Sequence, residues 1–265
     1  MRFEYKFVVP QGELQALRAG LAPFVAPDHF ADVRAQKEYT VRSIYFDTAR
    51  FDFYHEKLEG LQFRKKIRVR GYNEPEERSL VYLEVKKKIT DHCLKHRAPF
   101  LLAELSELFR TGDVDRHVLP GRNSARALDD AVRFFYHLRR QALRSTVLVT
   151  YEREAFHGIL DPTLRITFDK HLRCRLYPRL EDLYEERYLE PVLFKSFILE
   201  IKFNRGFSSW LQSLLQHHHL QRSGFSKYAS CLEAILLNPK LRRHLRLAAL
   251  PPAVMLQPTA PQEQG

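Results

Sequence analysis

Six segments of this chain alternate charged with apolar side chains at a period of two, the spacing of a β-strand. Residues 2–7 place Arg2, Glu4 and Lys6 on one face and Phe3, Tyr5 and Phe7 on the other. Residues 66–70 set Lys66, Arg68 and Arg70 opposite Ile67 and Val69, and residues 82–88 align Tyr82, Glu84, Lys86 and Lys88 against Leu83, Val85 and Lys87. Residues 147–153 carry Tyr151 and Arg153 together, and residues 165–169 put Arg165, Thr167 and Asp169 on one face. In residues 197–203, Glu200 and Lys202 oppose Leu199, Ile201 and Phe203. A polar face is ordinary for one antiparallel strand over a core. These faces are unusual in being almost all charge, with Glu-x-Lys recurring as Glu4/Lys6, Glu84/Lys86 and Glu200/Lys202. Adjacent strands carrying cations on one face repel unless anions or carboxylates lie between them. Closed into a barrel with that face inward, such a sheet confines positive charge in a cavity that is costly when empty and suited to a polyanion.

The rest of the chain reads as helix around this sheet. Residues 11–21 follow Pro10 with Leu14, Leu17 and Leu21 at helical spacing. Residues 36–47 read as a further strand, with a turn at 48–52, and the loop around Gly71, Asn73 and Pro75 as a hairpin connection. Residues 92–144 read as mostly helical, and residues 208–220 and 226–237 as two C-terminal helices. The expected fold is therefore α+β: an antiparallel, roughly eight-stranded β-barrel or tunnel with flanking and C-terminal helices. One domain is expected over 1–238, followed by a basic, Pro- and Gln-rich flexible tail over 239–265.

The net charge of +11 makes anionic partners plausible. No stretch is apolar enough for a membrane helix, and Glu4 and Lys6 interrupt any signal-type apolar run, so a cytoplasmic protein without a transmembrane segment is expected. Cys93, Cys174 and Cys231 show neither metal spacing nor a disulfide framework. Gly-x-Ser-x-Gly, Gly-rich phosphate loops and Walker patterns are absent. Consecutive His217, His218 and His219 point about 100° apart on a helix, poorly placed to share a metal. Cations and carboxylates remain, and phosphoryl transfer asks a protein chiefly for positioning and charge neutralisation. Glu4, Glu84 and Glu200 are the candidate metal ligands, with Glu84 equally readable as an internal counter-ion.

Eight short motifs in order resemble the triphosphate tunnel metalloenzyme superfamily, and within it the polyphosphate polymerase (VTC) domain. They are Arg2-x-Glu4-x-Lys6, Ser-Ile-Tyr-Phe-Asp at 43–47, Lys66-x-Arg68-x-Arg70, Leu-Glu-Val-Lys at 83–86, Tyr151-x-Arg153-x-Ala155-Phe156, Arg-Ile-Thr-Phe-Asp at 165–169, Leu-Glu-Ile-Lys at 199–202 and Phe-Ser-Lys-Tyr at 225–228. The resemblance implies a basic tunnel in which Lys6, Arg68, Arg70, Arg153 and Lys202 act on the transferred phosphoryl group. It further implies that Arg2, Lys66, Lys86, Tyr151, Arg165, Ser226 and Lys227 hold phosphates, while Glu200, and secondarily Glu4, bind Mn²⁺ or Mg²⁺. The implied reaction moves the γ-phosphoryl of ATP onto polyphosphate, so no protein nucleophile is needed. Triphosphatases of the superfamily begin Glu-x-Glu-x-Lys, and Arg2 in place of the first Glu favours the polymerase branch. Two alternatives stand beside it: a tunnel phosphohydrolase acting on triphosphate, and a non-catalytic binder of polyanions or RNA. Nucleic acid is not expected, because Phe3, Tyr5 and Phe168 fall opposite the cations. A membrane partner that takes the product is left open.

Overall fold

The computed structural model describes residues 3–89, 92–119, 124–204 and 206–237. Arg2 and the expected tail, 239–265, lie outside them. Ten strands form one antiparallel sheet: β1 (Phe3–Pro10), β2 (Val25–Pro27), β3 (Tyr39–Asp47), β4 (Phe63–Tyr72), β5 (Leu80–Ile89), β6 (His92–Leu101), β7 (Arg144–Gly158), β8 (Arg165–Leu176), β9 (Glu190–Pro191) and β10 (Ser196–Phe203). The helices are α1 (Leu14–Leu21), α2 (His29–Asp32), α3 (Asp52–Leu58), α4 (Leu105–Thr111), α5 (Val114–His117), α6 (Ser124–Arg140), α7 (Ser209–His217) and α8 (Lys227–Leu236).

The main path of the sheet runs β1-β10-β8-β7-β3-β4-β5-β6, with β2 added to β7 and β9 to β8. This corrects the expected barrel. Eight strands do lie on the path, but among the described residues β1 pairs with β10 and β6 with β5, and no ladder joins the two ends. The sheet curls instead, far enough that Lys86 on β5 stands 3.6 Å from Glu4 on β1. Both end strands carry residues suited to an unpaired edge. Pro99 lies within β6 and Pro10 ends β1, positions where a missing N–H costs no ladder bond.

A second correction concerns residues 92–101, expected as helix and found as β6. Cys93, Lys95 and Arg97 alternate with Leu94, His96 and Ala98, and the hairpin pairs Glu84 with Arg97 and Lys86 with Lys95. Among the described residues of the expected helical stretch 92–144, helix begins only after β6, as a 3-10 turn at Leu102–Glu104 that runs into α4, followed by α5 and α6.

Period two divides each strand between an outer and a concave face. On the outer side, Ile44, Ile67, Val69, Leu83, Val85 and Phe100 pack under α4 and α6 through Leu105, Leu108, Phe134 and Phe135. At the other end of the sheet, Phe7, Val9, Ile166, Phe168, Leu199 and Ile201 pack under α1 and α7. The concave side is partly filled too. There Tyr45, Val147, Val149, Leu172 and Cys174 receive Tyr228, Cys231, Leu232 and Ile235 of α8. The sheet thus wraps a helix at one part of its hollow and leaves a charged chamber in the rest.

Candidate functional site

Antiparallel pairing of two Glu-x-Lys strands dictates the first part of the chamber. In the β1–β10 ladder Glu4 lies opposite Lys202 and Lys6 opposite Glu200, so each carboxylate faces a cation. Lys6 Nζ is 2.8 Å from Glu4 and 3.8 Å from Glu200, while Lys202 pairs with Glu200 and lies 3.8 Å from Glu4. Such opposed pairs contribute about 0.2–1 kcal/mol each to a ladder. Burial and the neighbouring Glu200 charge push the Glu4 carboxyl up, but Lys6, Lys202 and Lys86 more than offset them and hold it at about 2. Burial likewise opposes ionisation of Glu200, and Lys202, Lys6, Lys227 and Arg153 overcome it, holding the carboxyl well below its ordinary range. Both carboxylates are therefore anionic at neutral pH.

A second cluster sits where β7, β8 and α8 meet. Arg153 donates two hydrogen bonds to Asp169, at 2.6 and 2.8 Å, and Lys227 approaches the same carboxylate at 2.5 Å. Both cations lie over the Tyr151 ring, 5.3 Å from its centroid for Arg153 and 4.7 Å for Lys227. Two cations share one carboxylate here, so the cluster carries surplus positive charge.

The third cluster lines β4 and β5. Arg68 donates to Glu84 at 2.7 Å and to the Tyr45 hydroxyl at 2.9 Å. Arg70 donates Nε–H to Ser43 Oγ at 3.0 Å and forms no ion pair among the described residues. Among the described residues Lys66 has only a hydroxyl partner, Ser226 Oγ at 3.1 Å. Burial, then Lys6, Lys86 and Arg68, hold the Lys66 ammonium well below its ordinary range. Burial would raise the Tyr45 phenol, yet Arg68 and Arg70 bring it below its usual value. These shifts share a cause, an excess of cations over carboxylates in a confined space.

α8 supplies the end of the chamber. Ser226 caps the helix by accepting the Ala229 N–H, which places Ser226 and Lys227 at its mouth on the concave side. Tyr228 donates to Asp47 Oδ2 at 2.5 Å, and the same carboxylate accepts the N–H groups of Phe53 and Tyr54 in the first turn of α3.

A family model describing the VTC domain matches residues 1–236. The chain belongs to the VTC domain family. No curated protein is similar enough to match. Among solved structures, a chain of the Schizosaccharomyces pombe Mediator head module is similar at 10% identity and a TM-score of 0.38, over 93% of this chain and 95% of that one. That likeness is too slight to carry an argument.

In this VTC domain, Lys6, Lys86 and Lys202 gather around Glu4 and Glu200, and Tyr151, Arg153 and Lys227 around Asp169. Lys66, Arg68, Arg70 and Ser226 line the adjoining wall. Arg165 lies directly opposite Lys202 in the β10–β8 ladder and donates to Asp28 at 2.8 Å and to the Tyr39 hydroxyl at 3.3 Å. Arg2 lies outside the described residues. Glu84 serves as counter-ion to Arg68, Lys95 at 3.1 Å and Arg97 at 3.4 Å, one of the two roles its sequence position allows. Sequence reasoning missed Lys95 and Arg97 because β6 was read as helix; their alternation with Leu94, His96 and Ala98 was the available signal. It also missed Asp169 as the shared counter-ion of Arg153 and Lys227, although the strand phase had placed it on this face.

For a divalent ion, Glu4 and Glu200 offer hard, ionised oxygen donors, and no group of three or more His, Cys, Asp or Glu suited to a metal occurs among the described residues. Two carboxylates fit Mg²⁺ or Mn²⁺ where waters and phosphate oxygens complete the shell. They do not make an all-protein cage. No helix among the described residues is long and apolar enough to cross a membrane.

Proposed function

We propose that this VTC domain is a divalent-metal-dependent polyphosphate polymerase using ATP. The observation that carries this reading is the coexistence, on one concave face, of two cations without a carboxylate partner among the described residues, Lys66 and Arg70, with two carboxylates kept ionised, Glu4 and Glu200. Unpaired buried cations call for an external anion, and closely spaced ones suit an anion with closely spaced charges. Arg68, Arg70 and Arg153 offer planar forks matched to phosphoryl oxygens, while Lys6, Lys66, Lys86, Lys202 and Lys227 contribute mobile point charges.

In the reaction, a terminal phosphate oxygen of the acceptor forms a bond to the γ-phosphorus of ATP. The bond from that phosphorus to the β,γ-bridging oxygen breaks, and ADP departs with the electron pair. A phosphate oxygen is already anionic, so no protein base or nucleophile is required. The protein holds donor and acceptor together and neutralises charge on the transferred group. Glu200 and Glu4 would hold Mn²⁺ or Mg²⁺, which when bound would further neutralise phosphate charge.

The test is incubation of purified protein with ATP and Mn²⁺, followed by electrophoresis stained for polyphosphate, with ADP and free phosphate assayed in parallel. A ladder with one ADP released per phosphate incorporated is expected. Free phosphate without chains overturns the polymerase in favour of the phosphohydrolase. In the same assay Glu200→Gln abolishes turnover with the fold retained by circular dichroism; full activity in that variant removes Glu200 from the metal site.

A further inference from the structure

The β4–β5 ladder sets like charges directly opposite one another at three consecutive positions: Arg64 with Lys88, Lys65 with Lys87 and Lys66 with Lys86. Opposed like charges destabilise a ladder. Ile67 and Val85 pack into the outer core, so period two places Arg64, Lys66, Lys86 and Lys88 on the concave face and Lys65 and Lys87 on the other. Lys66 and Lys86 belong to the chamber already described. Arg64 and Lys88 stand one pleat further along, about 7 Å away, toward the β5–β6 hairpin.

Neither Arg64 nor Lys88 forms an ion pair or a side-chain hydrogen bond among the described residues. On the outer face the neighbouring Lys65 does have a structural contact, its Nζ lying 5.9 Å from the centroid of the Phe53 ring. Lys57 on α3 approaches from the side, its Nζ beside Gly224, two residues before the Ser226 hydroxyl that receives Lys66. Burial lowers the Lys57 ammonium first, then Arg64, Lys6 and Lys88, against the pull of Glu233. Lys6 is a chamber residue, so this outer patch lies within electrostatic reach of the chamber itself. Positive charge therefore continues along the concave face from Lys66 and Lys86 to Arg64 and Lys88, with Lys57, on which Glu233 also acts, beside them.

We propose that Lys57, Arg64 and Lys88 form an exit track that holds the inorganic phosphate chain after it leaves the chamber. The proposal rests on the polymerase reading and deepens it. Phosphates near the reacting centre are gripped by the chamber, and those added earlier lie along the track. A phosphate chain fits this surface better than a nucleic acid does. A stacking platform interleaves aromatics with cations on one face, whereas the exposed Phe63 lies on the opposite face of its strand from Arg64. Opposed cations retained at a cost to the ladder are explained by a ligand that cancels them.

The test uses the full chain and the triple variant Lys57→Gln, Arg64→Gln and Lys88→Gln, none of which lies in the chamber. Each protein is titrated calorimetrically with inorganic triphosphate and with long-chain polyphosphate at several salt concentrations, and its Tm is recorded. Triphosphate affinity should change less than about twofold, while long-chain affinity falls roughly tenfold with a shallower salt dependence. The variant's Tm should rise, because like-charge repulsion has been relieved. Unchanged long-chain affinity overturns the track. Equal weakening of both ligands, or a lowered Tm, overturns it too, since these residues then serve the chamber or the fold. Single-stranded RNA that binds as tightly as the long chain and is equally weakened in the variant overturns the assigned occupant. Failure of the unaltered protein to bind triphosphate is a separate result: it overturns the chamber reading before any variant is made.

Discussion

Glu84 shows how one buried carboxylate organises several cations. It is 1% exposed and meets Arg68, Lys95 and Arg97. Burial raises its carboxyl, but Arg68, Arg70 and Lys95 more than offset this and hold it well below the carboxylate range. Removing one partner of a buried pair strands the other's charge, which costs roughly 3–5 kcal/mol. Lys95 and Arg97 keep part of their surface in water, so Glu84→Gln should cost about 3 kcal/mol, the low end of that range, in urea denaturation at pH 7. The pH dependence has a definite sign. A carboxylate whose folded pKa is depressed contributes fully above its unfolded value, 4.5, and loses that contribution as pH falls toward the folded value. The gap between the two proteins should therefore narrow on acidification below pH 4.5; a constant gap would show that the charge of Glu84 is not what stabilises. The strand pattern put Glu84 on the charged face but could not decide between metal ligand and counter-ion. Its counter-ion role rests partly on Lys95 and Arg97, which reach it from a neighbouring strand through pairing invisible in a local pattern.

Elements differ in how much of their role a local pattern carries. β1, β4, β5, β8 and β10 were legible because a charged face opposite an apolar one states both the strand and its phase. β6 was not, because its first residues extend a region dominated by helix and its edge position tolerates Pro99. The amphipathic spacing of α8 announced a helix but not that the sheet would wrap it, since an apolar helix face looks the same against either side of a sheet. What fixes α8 on the concave side is specific. Tyr228 hydrogen-bonds to Asp47 and stacks on Tyr45 with ring centroids 5.3 Å apart, joining two of the motifs that carried the family resemblance. Asp47 also holds the first turn of α3, so a single buried carboxylate ties α3, β3 and α8 together. Tyr228→Phe removes the hydroxyl and keeps the ring. It should cost about 1.5–3 kcal/mol, the range for a hydrogen bond to a charged group, and weaken triphosphate binding severalfold, because Ser226 and Lys227 ride on the same helix. Denaturation and calorimetry on one preparation separate the two effects. Lost stability with unchanged binding would mean that Lys227 is placed by Asp169 alone.

At the scale of the whole molecule, the curl of the sheet is what turns six charged strand faces into a chamber. Period two specifies which side chains share a face, but not whether the two ends of a sheet meet. Here the ends approach through Lys86 and Glu4 rather than through a ladder, so the expected closure was right in placing the charges together and wrong in its bonding. The same geometry makes the empty protein self-repelling. Among the described residues Lys66 and Arg70 lack anionic partners and two cations share Asp169, and the chain carries a net charge of +11. A ligand that binds only the folded state adds RT ln(1 + [L]/Kd), about 2.7 kcal/mol at a hundredfold excess over Kd. For a chain of this size each kcal/mol moves Tm by roughly 2–4 °C, so saturating triphosphate should raise Tm by about 5–10 °C. Sodium chloride at matched ionic strength screens the same repulsions without occupying the chamber, and its effect should be a small fraction of that rise. Arg70→Ala should blunt the response to triphosphate while leaving the response to salt intact. If salt alone reproduces the full rise, the stabilisation is screening of diffuse charge, and the concave face does not act as a site.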